Sequence, residues 1–338
     1  MTKLRKVLVT GGAGYVGSIL VPQLLREGYS VRVLDLYLFG EHVLDPVRNN
    51  PNLEQVHGDI RDLAVVRRAV KGCDAVVHLA CISNDPSFDL DPALGRSINF
   101  EAFEPLVTLS KASGVRRFVY ASSSSVYGVS EVPDVTETHP LVPLTDYSKY
   151  KAQCEPILLA RQSPQFTTVA VRPATVCGYS PRQRLDLTVN ILTNLAVNTG
   201  RITVFGGSQM RPNIHIADMV DLYLLLLRVP DEVIAGQVFN AGYQNHTVAE
   251  IAETVRQVVQ EETTGRDKVE VVTTPTDDLR SYHISSEKIR RVLDFTPRRT
   301  IEDAIRDLVS AFKEGKLPNS LSDVRYFNVK TMQARKAA

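Results

Sequence analysis

A parallel α/β sheet with helices on both faces, joined to a smaller carboxy-terminal α/β lobe, is the fold predicted by this 338-residue sequence. Three observations support it. Through the first half, apolar strand-like runs alternate with stretches of helical period, the mark of βαβ units with right-handed crossovers. After Arg172 that rhythm breaks into shorter, more polar segments. The length corresponds to about two ordinary domains, and 43% hydrophobic residues supply core for both.

Val7-Leu8-Val9-Thr10 reads as the first strand, and Tyr15 to Glu27 as a helix stopped at Gly28. Val31 to Asp35 is the second strand. Leu53–His57, Ala75–Leu79, Arg117–Ala121 and Thr167–Val171 follow as further strands, most of them rich in β-branched and aromatic residues. Leu63–Val70, Ile98–Ser113 and Ser148–Ala160 carry the helical period between them. Beyond Arg172, Gly178-Tyr179-Ser180-Pro181-Arg182 is a polar loop, Leu187–Asn198 a helix, and Ile202–Phe205 a strand ended by Gly206-Gly207. Ile216–Leu227 and Val238–Asn240 return to the main sheet as a helix and a strand. Thr247–Gln260 and Ile301–Phe312 are amphipathic helices around a strand at Val269–Thr273. The expected division is therefore residues 1–176 with 212–242 for the sheet domain, 177–211 with 243–325 for the lobe, and 326–338 as a tail that frays from Lys330.

Charge excludes some partners. Lys plus Arg (39) nearly balance Asp plus Glu (38), so no broad basic field exists to hold nucleic acid or an anionic membrane. The most apolar stretch, Leu222 to Leu227, is too short to span a bilayer. Met1 runs into the first strand without a cleavage site, unlike a signal peptide. Cys73, Cys81, Cys154 and Cys177 form no C-x-x-C pair and read as free thiols of a cytoplasmic protein. The seven histidines show no ligand spacing, so no metal is expected.

Chemistry begins at Thr10-Gly11-Gly12-Ala13-Gly14-Tyr15-Val16-Gly17, between the first strand and its helix. Gly12, Gly14 and Gly17 satisfy G-x-G-x-x-G, and Gly11, Gly14 and Gly17 satisfy G-x-x-G-x-x-G. Such glycines let the backbone approach a pyrophosphate seated on the positive end of the helix. Asp35 ends the second strand 18 residues after Gly17, where a carboxylate accepts hydrogen bonds from an adenosine ribose. The same carboxylate repels a 2′-phosphate, and no arginine follows it directly, so NAD is expected over NADP.

Tyr147 and Lys151 stand four residues apart on a predicted helix, with Glu155 four further, and so share a face. A phenol titrates near pH 10, and a neighbouring ammonium and an oxidised nicotinamide both favour its phenolate. Ala121-Ser122-Ser123-Ser124-Ser125 caps the preceding strand at its carboxyl end, where this class of sheet binds ligand. Those hydroxyls suit an alcohol or ketone. The order of glycine loop, acidic residue, serines and Tyr/Lys pair is that of a hydride-transfer site on a Rossmann-type sheet.

On these motifs the chain resembles the extended short-chain dehydrogenase/reductase family, in its sugar-nucleotide epimerase, dehydratase and reductase branch, from Val7 to about Leu308. The resemblance implies that Asp59 and Ile60, in Gly58-Asp59-Ile60-Arg61-Asp62, lie beside adenine. It also implies that Val77-His78-Leu79-Ala80 lines the dinucleotide through Leu79 and Ala80, and that Asn99 on the central helix and Pro173 after Arg172 contact the cofactor. Ser123 matches the family's catalytic Ser/Thr, Tyr147 its base and Lys151 its ribose-binding lysine. Arg211 and Arg280 match arginines that hold the diphosphate of a nucleotide sugar, and guanidinium groups pair well with phosphate. Ser83, Ser124, Ser125 and Thr175 fall at further substrate positions. The family's assembly implies a homodimer through the Ile98–Ser113 and Ser148–Ala160 helices.

Departures narrow the chemistry. Where the family's 4,6-dehydratases carry an Asp/Glu pair, this chain has Ser124 and Ser125, which disfavours dehydration. Thr175, Cys177 and Pro212-Asn213 replace the residues usual at those positions, so the sugar nucleotide stays open. The expected activity is hydride transfer at one ring carbon, C4, of a nucleotide-activated sugar, as an epimerase. A dehydrogenase or 4-ketoreductase that releases its product is the alternative, and a non-catalytic NAD-binding regulator a remote one. Pro156 is expected to kink its helix beyond Lys151. Cys81 is read as a small packed thiol near the cofactor, His78 as a satisfied strand residue, and His215 as structural or close to the diphosphate.

Overall fold

The computed structural model describes residues 4–83, 85–130, 132, 134–263, 268–276 and 281–337. Seven strands form the main sheet: β1 (Lys6–Thr10), β2 (Ser30–Asp35), β3 (Leu53–His57), β4 (Ala75–His78), β5 (Arg117–Ala121), β6 (Thr167–Pro173) and, after three strands of the lobe, β10 (Gln237–Ala241). Their order is β10-β6-β5-β4-β1-β2-β3, and every pairing is parallel. Chain direction across the sheet reverses between β1 and β4. A crevice must open at the carboxyl ends there, because the connections leave to opposite sides.

Strand alternation divides the core. Val7, Val9, Val31, Val33, Val77, Val119 and Val169 face one layer, with α1 (Gly17–Arg26), α8 (Ile216–Leu226) and α11 (Glu287–Leu293). Leu8, Leu34, Val76, Phe118 and Ala170 face the other, with α2 (Leu63–Val70), α5 (Phe103–Ala112) and α6 (Asp146–Leu159). A side-chain period of two, with both faces covered, explains why these strands read as continuous apolar runs. The helix expected over Ile98–Ser113 instead opens with a π-helical turn, Ser97–Glu101, before α5. Short helices α3 (Asp85–Asp89) and α4 (Pro92–Arg96) precede it. Pro156 lies inside α6, past Lys151.

The lobe has its own core around α7 (Thr188–Thr199), α10 (Val248–Glu262) and α12 (Ile301–Lys313). Beside them run two small sheets. One joins β7 (Thr175–Cys177), β9 (Met210–His215) and β11 (Gln244–Thr247); the other pairs β8 (Arg201–Phe205) with β12 (Glu270–Thr274). The strand at Met210–His215 carries too few apolar residues to show in the sequence. A short helix α9 (Asp231–Ile234) precedes β10. The carboxy-terminal segment departs most from expectation. Residues Asn328–Ala337 form helix α13, and Asn328 and Thr331 are buried. Polar anchors hold it: the Asn328 backbone N–H donates to Asp186 (3.1 Å) and Leu185 N–H to the Tyr326 carbonyl (2.9 Å).

Candidate active site

A cavity of about 370 Å³, ordinary for a small-molecule site, opens over the carboxyl ends of β1, β2, β4, β5 and β6. Gly11, Gly14, Tyr15, Val16, Gly17, Asp35, Ile60, Leu79, Ala80 and Pro173 line it, as expected from the sequence. So do Ser83, Ser123, Ser124, Ser125, Tyr147, Lys151 and Thr175.

The glycine turn needs glycine. Gly11 has φ +74°, and a Cβ there would stand 2.6 Å from the Ala80 nitrogen. One on Gly17 would stand 2.4 Å from the Gly11 carbonyl oxygen. These contacts leave the turn as bare backbone in front of α1, which is the shape a pyrophosphate requires. Asp35 closes the turn from β2 by accepting from Ala13 N–H (2.9 Å) and Tyr37 N–H (2.7 Å). Burial raises its carboxyl pKa, and those two donors partly offset the rise. A cradle of glycine backbone with an acidic residue beside it fits NAD, and the ribose of the nucleotide would complete the carboxylate's bonding.

At the other end α6 presents Tyr147 and Lys151 to the cavity. Thr145 caps it, accepting from Ser148 N–H (3.3 Å) while Ser148 Oγ accepts from Thr145 N–H (3.1 Å). Tyr147 therefore lies in the first turn and Lys151 one turn later. Lys151 Nζ donates to the Ala121 carbonyl (2.7 Å) and lies 5.9 Å from the Tyr147 ring centroid. Burial holds the Tyr147 phenol well above its usual pKa, Cys81 and Asp85 add to this, and Arg184 and a hydrogen bond with Ser123 oppose it. Ser123 Oγ also shares a hydrogen with Ser125 Oγ (2.8 Å). Tyrosine, serine and lysine thus converge on one point of the cavity.

A buried polar network supports this end from behind. Arg172 donates to both carboxylate oxygens of Glu155, at 3.0 and 2.6 Å, and to the Tyr127 hydroxyl at 2.6 Å. Ser122 donates to Glu155 (2.6 Å), and Tyr127 donates to the Asn240 side chain (2.7 Å). Burial opposes the Arg172 charge, yet the Glu155 pair more than compensates and its pKa is raised. Glu155 shares a helix face with Tyr147 and Lys151 but points beneath the cavity.

Three of the expected contacts are absent from the cavity wall. Asn99 does not line the cavity: its side chain accepts from Ile82 N–H (2.8 Å) and donates to the Ile82 carbonyl (2.9 Å). It pins the loop after β4, which carries Cys81 and Ser83 to the cavity. The Asp59 carboxylate is engaged by the Arg61 guanidinium at 2.5 Å, while its neighbours Gly58 and Ile60 form part of the wall. Arg211 lies on β9 opposite His246, donates to the Met210 carbonyl (3.0 Å), and is not part of the wall. Arg280 lies outside the described residues.

Cys81 lines the cavity and is half-buried, not fully packed. His78 bonds Thr10 Oγ1 through Nδ1 (2.7 Å), and burial lowers its pKa to about 3. His215 caps α8, its Nδ1 accepting from Ala217 N–H (3.1 Å). The wall also holds residues that sequence reading missed: Arg182, Arg184, Tyr282 and Asn328. Arg184 pairs with Asp186 (2.9 Å) and reaches Ser83 Oγ (3.3 Å). The only trace of these arginines in the sequence was the polar loop that begins at Gly178.

Residues 7–242 match the family described as the NAD dependent epimerase/dehydratase family. A UDP-glucose 4-epimerase from Lactobacillus helveticus is 29% identical over 324 residues, covering 89% of this chain and 94% of that protein. A dTDP-glucose 4,6-dehydratase from Streptomyces niveus is 31% identical over 330 residues, covering 92% and 94%. The crystal structure of a dTDP-glucose 4,6-dehydratase from Streptomyces venezuelae with NAD bound superposes with a TM-score of 0.81 at 26% identity, covering 92% of this chain and 98% of that one.

Proposed function

The chain belongs to the NAD dependent epimerase/dehydratase family, and from that premise we propose that it is a nucleotide-sugar 4-epimerase. The observation that carries this is the convergence of Tyr147, Ser123 and Lys151 beside a glycine-lined dinucleotide cradle, with Ser124 and Ser125 in place of an acid/base pair. NAD held in that cradle would supply a reversible hydride acceptor for the sugar carbon. Tyr147 takes the proton of the C4 hydroxyl as that hydride leaves, and gives a proton back after the keto-sugar presents its other face. Ser123 hydrogen-bonds the reacting oxygen. Lys151 would hold the cofactor ribose, and an ammonium this close to the phenol ring favours its phenolate.

Serine hydroxyls are poor general acids, so the elimination of water that a 4,6-dehydratase performs lacks its proton donors at these positions. Ser83, Ser124, Ser125 and Thr175 are assigned to the sugar end of the cavity. Residues 1–176 with 212–242 would hold the cofactor, and 177–211 with 243–325 the nucleotide sugar. Four free cysteines suit the reducing cytoplasm, and none of the helices among the described residues is long and apolar enough to cross a membrane. A homodimer through the α5 and α6 faces completes the reading.

Incubation with UDP- and dTDP-sugars, without added cofactor, tests it. The expected product is the 4-epimer with no net NADH. A 4-keto product that keeps all its oxygens, formed only on adding NAD and with one NADH per turnover, would instead establish a dehydrogenase, and consumption of added NADH by a 4-keto sugar a ketoreductase. A product lighter by one water would establish a dehydratase.

A further inference from the structure

The loop at Gly178–Arg182 is stitched to the amino-terminal end of α1. Tyr15 donates its hydroxyl to the Gly178 carbonyl (2.7 Å), Ser180 donates to the Tyr15 carbonyl (2.7 Å), and the Ser18 and Ser180 hydroxyls share a bond of 2.7 Å. The Asn190 amide adds a bond to the Tyr15 hydroxyl (3.0 Å). All these groups are buried, so the lobe's loop is fixed over the helix end and glycine turn that favour an anion.

Arg182 ends this loop and is 4% exposed. Its guanidinium lies 3.9 Å from the centroid of the Phe39 ring and forms part of the cavity wall with Gly14 and Asp35. One nitrogen, Nη2, donates to the Asn328 side chain of α13. Nε and Nη1 have no hydrogen-bond partner among the described residues. Burying a guanidinium with two unused donors is unfavourable unless an anion completes it. Burial, with repulsion from Arg184, pushes its pKa down to about 9.

We propose that Arg182, steadied by Asn328, clamps the pyrophosphate of the dinucleotide from the lobe side, opposite the glycine turn. The proposal rests on the NAD reading above and deepens it. A guanidinium stacked on an aromatic ring presents its donors in a fixed plane, the geometry that phosphate oxygens accept best. Asn328 also donates to Ser83 Oγ (2.8 Å), so the clamp ties α13 to the loop after β4 across the cavity mouth. The carboxy-terminal helix lies beyond the matched residues 7–242, yet it supports the cofactor site. An enzyme that returns the hydride it removes gains from such a clamp, because its cofactor has no reason to leave between turnovers.

Exchange of bound NAD for deuterated NAD, followed by mass spectrometry on the full chain, measures the clamp directly. Arg182→Gln should release NAD about 10- to 100-fold faster, as expected for loss of charge-assisted bonds to phosphate. Asn328→Ala should release it roughly 3- to 10-fold faster, since a neutral bond is lost; it decides the matter if Arg182→Gln does not fold. The KM for the nucleotide sugar should change little in either. An unchanged release rate in a folded variant overturns the clamp. So does a raised sugar KM with unchanged release, which would assign Arg182 to the substrate's diphosphate. If the wild type binds NADP as well as NAD and the variant loses only NADP, the guanidinium reads a 2′-phosphate and the clamp is again overturned. A wild type that takes up no NAD overturns the cofactor reading itself, an outcome distinct from the variant results.

Discussion

The cavity wall formed by the ends of the main sheet takes its polar groups from short contiguous segments, whereas the facing wall, from the Gly178–Arg182 loop and α13, is held by bonds between residues far apart in the chain. Gly11 to Gly17 is a single turn, and Tyr147 and Lys151 share one helix. Asn328, by contrast, meets Ser83 across 245 positions, and Tyr15 meets Gly178 across 163. Local backbone geometry determines the first wall, because a turn without Cβ atoms and a helical spacing of four require particular residues at particular intervals. The second wall depends on tertiary packing, which places no such interval in the sequence.

The largest effect should come from the first wall. Tyr147→Phe removes the hydroxyl proposed to move the proton and leaves the ring packed, so turnover should fall about 10²- to 10⁴-fold while NAD binding stays near wild type. Because burial raises the phenol's pKa, the wild-type rate should climb with pH as the tyrosine ionises. Lys151→Met should move that limb to higher pH, since the ammonium favours phenolate. A pH–rate profile checks both. Wild-type turnover in Tyr147→Phe would remove the tyrosine from the mechanism.

That contrast also explains what the sequence conveyed. The parallel sheet was legible because strands buried on both faces read as apolar runs, and Arg117–Ala121 begins and ends where expected. The glycine turn, Asp35, the serines and the Tyr/Lys pair were legible for the same local reason. Asn99 was misplaced because its motif position gives no sign of which way the amide points, and in the π-helical turn it faces Ile82. The Asp59 carboxylate is engaged by Arg61, a pairing that the motif position alone does not reveal. The tail looked frayed because it is short and basic, and its anchors, Asp186, Arg182 and Ser83, lie over 100 residues away.

An intermediate effect should come from the network behind the first wall. Glu155→Gln leaves the Arg172 charge buried beside a neutral amide. Removing one partner of such a pair costs about 3–5 kcal/mol, which urea unfolding would read. Both side chains are nearly inaccessible, so solvent does little to screen the loss. A change below about 1 kcal/mol, the size of an exposed pair, would show that the network is not what holds β6 against α6.

The smallest effect should come from the seam between the walls, where Tyr15→Phe deletes one hydroxyl that donates to Gly178 and accepts from Asn190. Both partners keep another bond: the Gly178 carbonyl accepts from Gln183 (3.4 Å), and the Asn190 amide donates to the Arg184 carbonyl (2.8 Å). The loss in stability should therefore be about 1 kcal/mol, the net worth of a typical hydrogen bond. Its value is as a discriminator. The seam holds the loop that carries Arg182, so Tyr15→Phe should speed NAD release measurably while leaving the reacting end at Tyr147 untouched. Equal stability loss with no change in NAD release would mean that the loop keeps its place through Ser18 and Ser180 alone. The tyrosine would then be a packing residue of the glycine wall, with no part in joining it to the lobe.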